Sequence, residues 1–149
     1  MTAFVLFAMY CSMTDILEQY RFEKYLLEVA IATLKEGGSA SRLTDYSFLP
    51  PMDAWGFPKY PGKTLILPAH ADLIAGLKTF IQANRAYLIE EDSCLGTWIH
   101  PTTGAYYLDI TTSCETLEEA RQKAIERGKV EGRAIIALYN SLREETVYL

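Results

Sequence analysis

The sequence predicts a single α+β domain over residues 1–149, with a mostly antiparallel sheet packed against two or three helices and a C-terminal ββαββ unit. Three observations lead there. Half of the 149 residues are hydrophobic and 22% are charged, the balance of a chain with its own core. A long stretch near the start carries apolar residues at helical spacing, and the last third reads as hairpin, helix, hairpin. A domain of this size removes roughly 70% of its unfolded surface from water, so folding requires neither metal nor disulfide staples.

The elements follow in order. Ala3 to Tyr10 is an apolar run of eight residues, expected as a buried strand or an extended arm within residues 1–12. It has no basic leader and no small-residue cleavage site, so it is not read as a signal peptide. It is also well short of the roughly 20 apolar residues of a membrane span. Ser12 or Thr14 can cap a helix that begins at Asp15, in which Ile16, Tyr20, Leu27, Ala30, Ile31 and Leu34 form the core-facing stripe and Gly37 and Gly38 stop the helix.

Residues 39–63 carry Pro50, Pro51, Pro58 and Pro61 among Tyr46, Phe48, Trp55, Phe57 and Tyr60, which predicts a long loop wrapping the core. In that loop Trp55 and Phe57 are candidate anchors for a partner. Thr64 to Leu67 reads as a short strand. Leu73, Leu77, Phe80 and Ile81 share one face of a helix over Asp72 to Ala83, before Asn84 and a further strand at Tyr87 to Ile89. Leu95 to His100 and Ala105 to Thr111 form a hairpin around Pro101 to Gly104. Thr116 and Glu119 make a capping box for a helix that runs through Arg127 and stops at Gly128. Ala134 to Tyr139 and Glu145 to Leu149 close the chain as two strands around an Asn140 to Arg143 turn.

A formal charge of −5 marks an acidic protein and disfavours nucleic acid and anionic membranes as partners. The charge is uneven, with seven acids and no Lys or Arg from Ala86 to Glu119, followed by Arg121, Lys123, Arg127, Lys129 and Arg133. Cys11, Cys94 and Cys114 are odd in number and lack C-x-x-C spacing, which fits buried thiols in a reducing, cytoplasmic compartment. No metal or cofactor motif is present. Gly62, Lys63 and Thr64 imitate the end of a phosphate loop, but that motif needs glycine where Phe57 stands and a helix where a strand follows. His70, beside Asp72, reads as a polar residue at a helix start.

The hairpin carries the sharpest expectation. With Pro101 to Gly104 as the loop, His100 pairs with Ala105, Trp98 with Tyr107 and Gly96 with Asp109, all on one face. Thr97, Ile99, Tyr106, Leu108 and Ile110 take the other face, which is more aliphatic and meets the helices. Trp98, His100, Tyr107 and Asp109 then form an aromatic and ionisable platform that can bind a protein partner. The alternative is a small hydrolase or transferase centred on His100, Tyr107 and Asp109, with His100 as acid or base. A third reading is a self-associating structural protein, joined through the exposed C-terminal strand.

Gly96-Thr97-Trp98, Pro101-Thr102-Thr103-Gly104, Tyr107-Leu108-Asp109 and Ala134-Ile135-Ile136 occur in an order that resembles small accessory domains encoded by bacterial phages and mobile elements. The resemblance covers about a third of the chain and assigns no catalytic residue. It implies a modulator of a host or viral component rather than a metabolic enzyme.

Overall fold

A computed structural model describes residues 2–149, without the side chains at positions 7, 8, 10 and 11. The chain is α+β. Helix α1 (Ala3–Glu36) leads into β1 (Gly38–Ser41) and β2 (Trp55–Pro58), then a 3-10 turn (Pro61–Lys63), β3 (Leu65–Leu67) and α2 (Leu73–Leu88). Strands β4 (Cys94–Ile99) and β5 (Tyr106–Cys114), helix α3 (Leu117–Glu131) and strands β6 (Ala137–Asn140) and β7 (Glu145–Tyr148) complete it. All pairings are antiparallel, in the order β1-β4-β5-β2-β6-β7. The sheet curls at β5, whose first half pairs with β3 and whose second half pairs with β2.

The expected strand or arm at Ala3 to Tyr10 is helical instead, continuous with the helix expected from Asp15. An isolated strand leaves its backbone unpaired, whereas a helix satisfies its own N–H and C=O groups. The side chain of Thr2 caps the new start. Gly37 ends α1 as expected, in the left-handed region at φ 85°. Gly38 then runs so close to β4 that an added β-carbon would sit 2.7 Å from the Thr97 carbonyl oxygen.

The stripe assigned to the core is also corrected. Ile16, Tyr20, Leu27, Ile31 and Leu34 are exposed, and of that set only Ala30 is buried. A second apolar line on the same helix, with Tyr25, Leu26, Val29 and Ala30, meets Leu77, Phe80 and Ile81 of α2 and Leu108 and Ile110 of β5. Polar residues on this line are paired too. The Thr33 hydroxyl lies 2.6 Å from Thr97 Oγ1, and Tyr25 Oη lies 2.6 Å from Ser41 Oγ.

The long loop expected over residues 39–63 contains β2 and all of β1 but Gly38, and its two anchor candidates are interior. Trp55 and Phe57 are each 3% exposed, packed beneath α3 with Leu138 and Ile135. The inner face of α3 is Ala120, Ala124 and Gly128, so the two large rings fill the space that these small residues leave. They are unavailable as partner anchors.

Two element ends also move. Helix α2 bends at Asn84, whose backbone leaves the helical region, yet it continues to the buried Leu88, so no strand forms at Tyr87 to Ile89. Helix α3 starts at Thr116 as expected, with the Glu119 N–H donating to its hydroxyl, but it passes Gly128 and ends at Gly132. Gly128 serves packing, because a β-carbon there would lie 3.1 Å from the Arg133 carbonyl where the chain folds back.

Candidate binding face

The hairpin has the register that the Pro101 loop implies. Trp98 lies opposite Tyr107 and Gly96 opposite Asp109, while the His100 N–H donates to the Ala105 carbonyl. Gly104 takes φ 73°, which closes the four-residue turn. Alternation puts Tyr106, Leu108 and Ile110 against the helices, buried, and leaves Tyr107 and Asp109 half-buried on the opposite face.

All three helices lie on the face of β5 that carries its even-numbered residues, so the other sheet face carries no helix. Its floor is low. Gly38 and Ala40 pair with Trp98 and Gly96, and Gly56 pairs with Ser113 and Tyr139. Over these small residues lies an open trough of about 1430 Å³, bordered by Trp98 and Tyr107 in one part and by Tyr139 and Tyr148 in another. Gly96 is required there: a β-carbon would fall 2.0 Å from Thr111 Oγ1 and 3.1 Å from Thr111 Cβ.

Trp98, His100 and Tyr107 touch one another. The indole meets the imidazole at 5.2 Å and the phenol ring at 5.3 Å between centroids, and His100 lies 6.1 Å from Tyr107. These are tilted and edge-to-face contacts of the kind that aromatic quadrupoles favour. All three side chains are half-buried, and of the three Trp98 and Tyr107 line the trough.

Asp109 does not join them. Its carboxylate accepts a hydrogen bond from the Thr64 hydroxyl, and Arg133 Nη1 donates to the Thr64 carbonyl at 2.8 Å, which brings a guanidinium near without a direct ion pair. Burial pushes the Asp109 carboxyl up to about 6, against the pull of the Thr64 hydrogen bond and the Arg133 charge. His100, for its part, is occupied in the turn: its Nδ1 accepts the N–H groups of Thr102 and Thr103 at 3.1 and 3.3 Å. The position opposite His100 is four residues along the strand from Asp109, roughly 13 Å. His100, Tyr107 and Asp109 thus share a face without converging on a common point, which is the geometry of a surface and not of an acid–base pair.

Other residues singled out in the sequence have structural employment. His70 is exposed, at φ 64°, in the turn before α2, where the Asp72 side chain caps the helix by accepting from the Ala75 N–H. The Gly62 N–H donates to Glu131, and β3 follows Lys63, so no phosphate cradle forms. Several cations of the basic segment are held: Arg127 donates to the Lys59 carbonyl, and Lys123 pairs with Glu119. Cys94 and Cys114 are buried free thiols, each raised above its ordinary pKa by burial, Cys94 to about 11. Among the described residues no group of three His, Cys, Asp or Glu side chains is placed to hold a metal ion, and no helix is long and apolar enough to cross a membrane.

Sequence reasoning missed Thr64, Arg133, Tyr139, Tyr148 and the small floor of the trough. A signal for the floor was present, since glycine inside a strand marks a bulge or a close approach, and Gly56 and Gly96 are such residues. Comparison of the chain with protein-family models, with curated proteins and with solved structures found no match.

Proposed function

We propose that the chain is a cytoplasmic protein-binding module that takes a partner segment into the trough over the helix-free face of the sheet. Trp98 and Tyr107 act as apolar anchors, His100 backs the indole, and Asp109 selects a basic side chain. The observation that carries this reading is the pair Trp98 and Tyr107, in contact with each other and with His100 and lining the trough above a floor of small residues. Interfaces draw most of their energy from a few large aromatic anchors in such settings. Asp109 adds specificity, because an incoming Lys or Arg stabilises a carboxylate that burial disfavours. The resemblance to phage and mobile-element accessory domains makes a host or phage protein the expected partner.

Selection of displayed random peptides tests the proposal. Wild type is expected to enrich peptides that carry a basic residue near an apolar one. Trp98→Ala and Tyr107→Ala should each weaken the selected peptides about tenfold or more, while Asp109→Asn should remove the preference for the basic residue. Peptides that bind Trp98→Ala as tightly as wild type would refute it, as would the absence of any enrichment.

A further inference from the structure

The apolar stripe on α1 that periodicity assigned to the core stands in solvent. Leu6, Met9, Met13, Ile16 and Tyr20 follow one another at spacings of three and four, and all are more than half exposed. Leu27, Ile31 and Leu34 continue the line over the part of α1 that packs on the domain with its other face. Such spacing, sustained over four heptads, is that of a helix whose partner is another helix.

We infer that α1 pairs antiparallel with α1 of a second copy of this chain. This surface reaches the rim of the trough at Ile31, while Ile16 and Leu27 lie outside it, and the inference does not rest on the function proposed for the trough. Three features select the occupant. The first is length. Phe22 is the first apolar residue of α1 to pack on the core and Glu18 accepts a hydrogen bond from the Tyr46 hydroxyl, so residues 3–17 project by roughly 22 Å, and the stretch from Glu18 to Glu36 is roughly 28 Å long. In an antiparallel pair each projecting half lies along the other copy's docked half, with Leu27 near Ile16 and Leu34 near Met9, and both exposed lines are covered together.

The second feature is charge. Glu23 occupies the one seam position held by an acid. A parallel in-register pair would set it against its own copy, whereas the antiparallel register places it by Tyr20. Charge also argues against a bilayer, because residues 1–20 contain Asp15 and Glu18 but no Lys or Arg to meet anionic headgroups. The third feature is area. Among the described residues, the eight large apolar side chains of the seam are each about half exposed or more in each copy. Covering them in two copies removes on the order of 1000 Å² of apolar surface from water, before backbone and polar flanks are counted, against the roughly 1,200 Å² total at which stable interfaces begin.

Sedimentation equilibrium over a wide concentration range is the test. Wild type should have the mass of two chains. Ile16→Lys and Leu27→Lys change exposed residues and should each weaken pairing by at least about a hundredfold, with an unchanged far-UV circular dichroism spectrum per folded domain outside the arm. In a Cys11→Ser background, a mixture of Ile16→Cys and Leu27→Cys chains should form the mixed disulfide, and Leu27→Cys alone should form none. A single-chain mass at all concentrations would overturn the inference. So would a dimer that survives both lysine variants, a Leu27→Cys self-crosslink, or flotation of single chains with phosphatidylcholine–phosphatidylglycerol vesicles.

Discussion

Replacing Asp109 by asparagine should stabilise the protein, and only at the pH values where the carboxylate is charged. The acid has an ordinary pKa of 3.8 and one of about 6 in the fold, with burial as the leading cause. Below both values the group is protonated whether the chain is folded or open, and it contributes nothing. As pH rises between them the open chain releases its proton first, so wild-type stability falls. Above about 6 the full cost applies, roughly 3 kcal/mol at 1.36 kcal/mol for each unit of pKa. The asparagine side chain of the variant does not titrate, and its amide oxygen can still accept from the Thr64 hydroxyl.

The measurement is urea unfolding of wild type and Asp109→Asn from pH 4 to pH 8. The stability difference should be small at pH 4, grow in favour of the variant through pH 6 and level off beyond it. At neutral pH it corresponds to a rise in melting temperature of roughly 6 to 12 °C for a domain of this size. All other titrating groups are common to both proteins and cancel in the difference. A difference that is flat with pH, or a variant that is less stable at pH 8, would show that the carboxyl is not desolvated in the folded protein.

Three further outcomes follow from packing. Trp55→Ala and Trp98→Ala should differ sharply in equilibrium unfolding: the first empties a buried site and should cost about 3 to 5 kcal/mol, the second removes a half-buried ring and should cost less than about half as much. Gly96→Ala should destabilise by roughly 1 to 3 kcal/mol, because Thr111 is β-branched and its Cβ as well as its hydroxyl crowds the new methyl; adding Thr111→Ala should recover most of the loss in the same assay. The Cys94 thiol, pushed up to about 11 by burial, should resist iodoacetamide at pH 8 in the folded protein and react once urea unfolds it. Mass spectrometry of the labelled peptide reads this directly.

The hairpin was legible because its turn is specified locally. Pro101 and Gly104 fix the loop, and a fixed loop sets both register and faces. The α1 terminus at Gly37 and the α3 cap at Thr116 were legible for the same reason. Strands β1 and β2 were not, since Gly-Ser-Ala-Ser and Trp-Gly-Phe-Pro hold no strand pattern of their own and owe their conformation to β4 and β5 alongside them. The burial of Trp55 depends on α3, whose inner face is too small to announce itself as apolar. In α1 the period was correct and the face was not. The helix carries two apolar lines, and spacing alone does not say which one meets the sheet. In the candidate site, Trp98, His100, Tyr107 and Asp109 were visible as one face of a hairpin. The partners that set Asp109's environment, Thr64 and Arg133, come from distant parts of the chain and needed the fold to bring them in.

The chain has two tryptophans, so its two indole N–H signals in a ¹H–¹⁵N NMR spectrum report separately on the trough and on the core beneath α3. Titration with a selected peptide should move the Trp98 signal together with the amides of β4 and β5 near Tyr107 and Asp109, and leave the Trp55 signal in place. Shifts confined to the helices, with Trp98 unmoved at saturation, would contradict the claim that the helix-free face is where a partner binds.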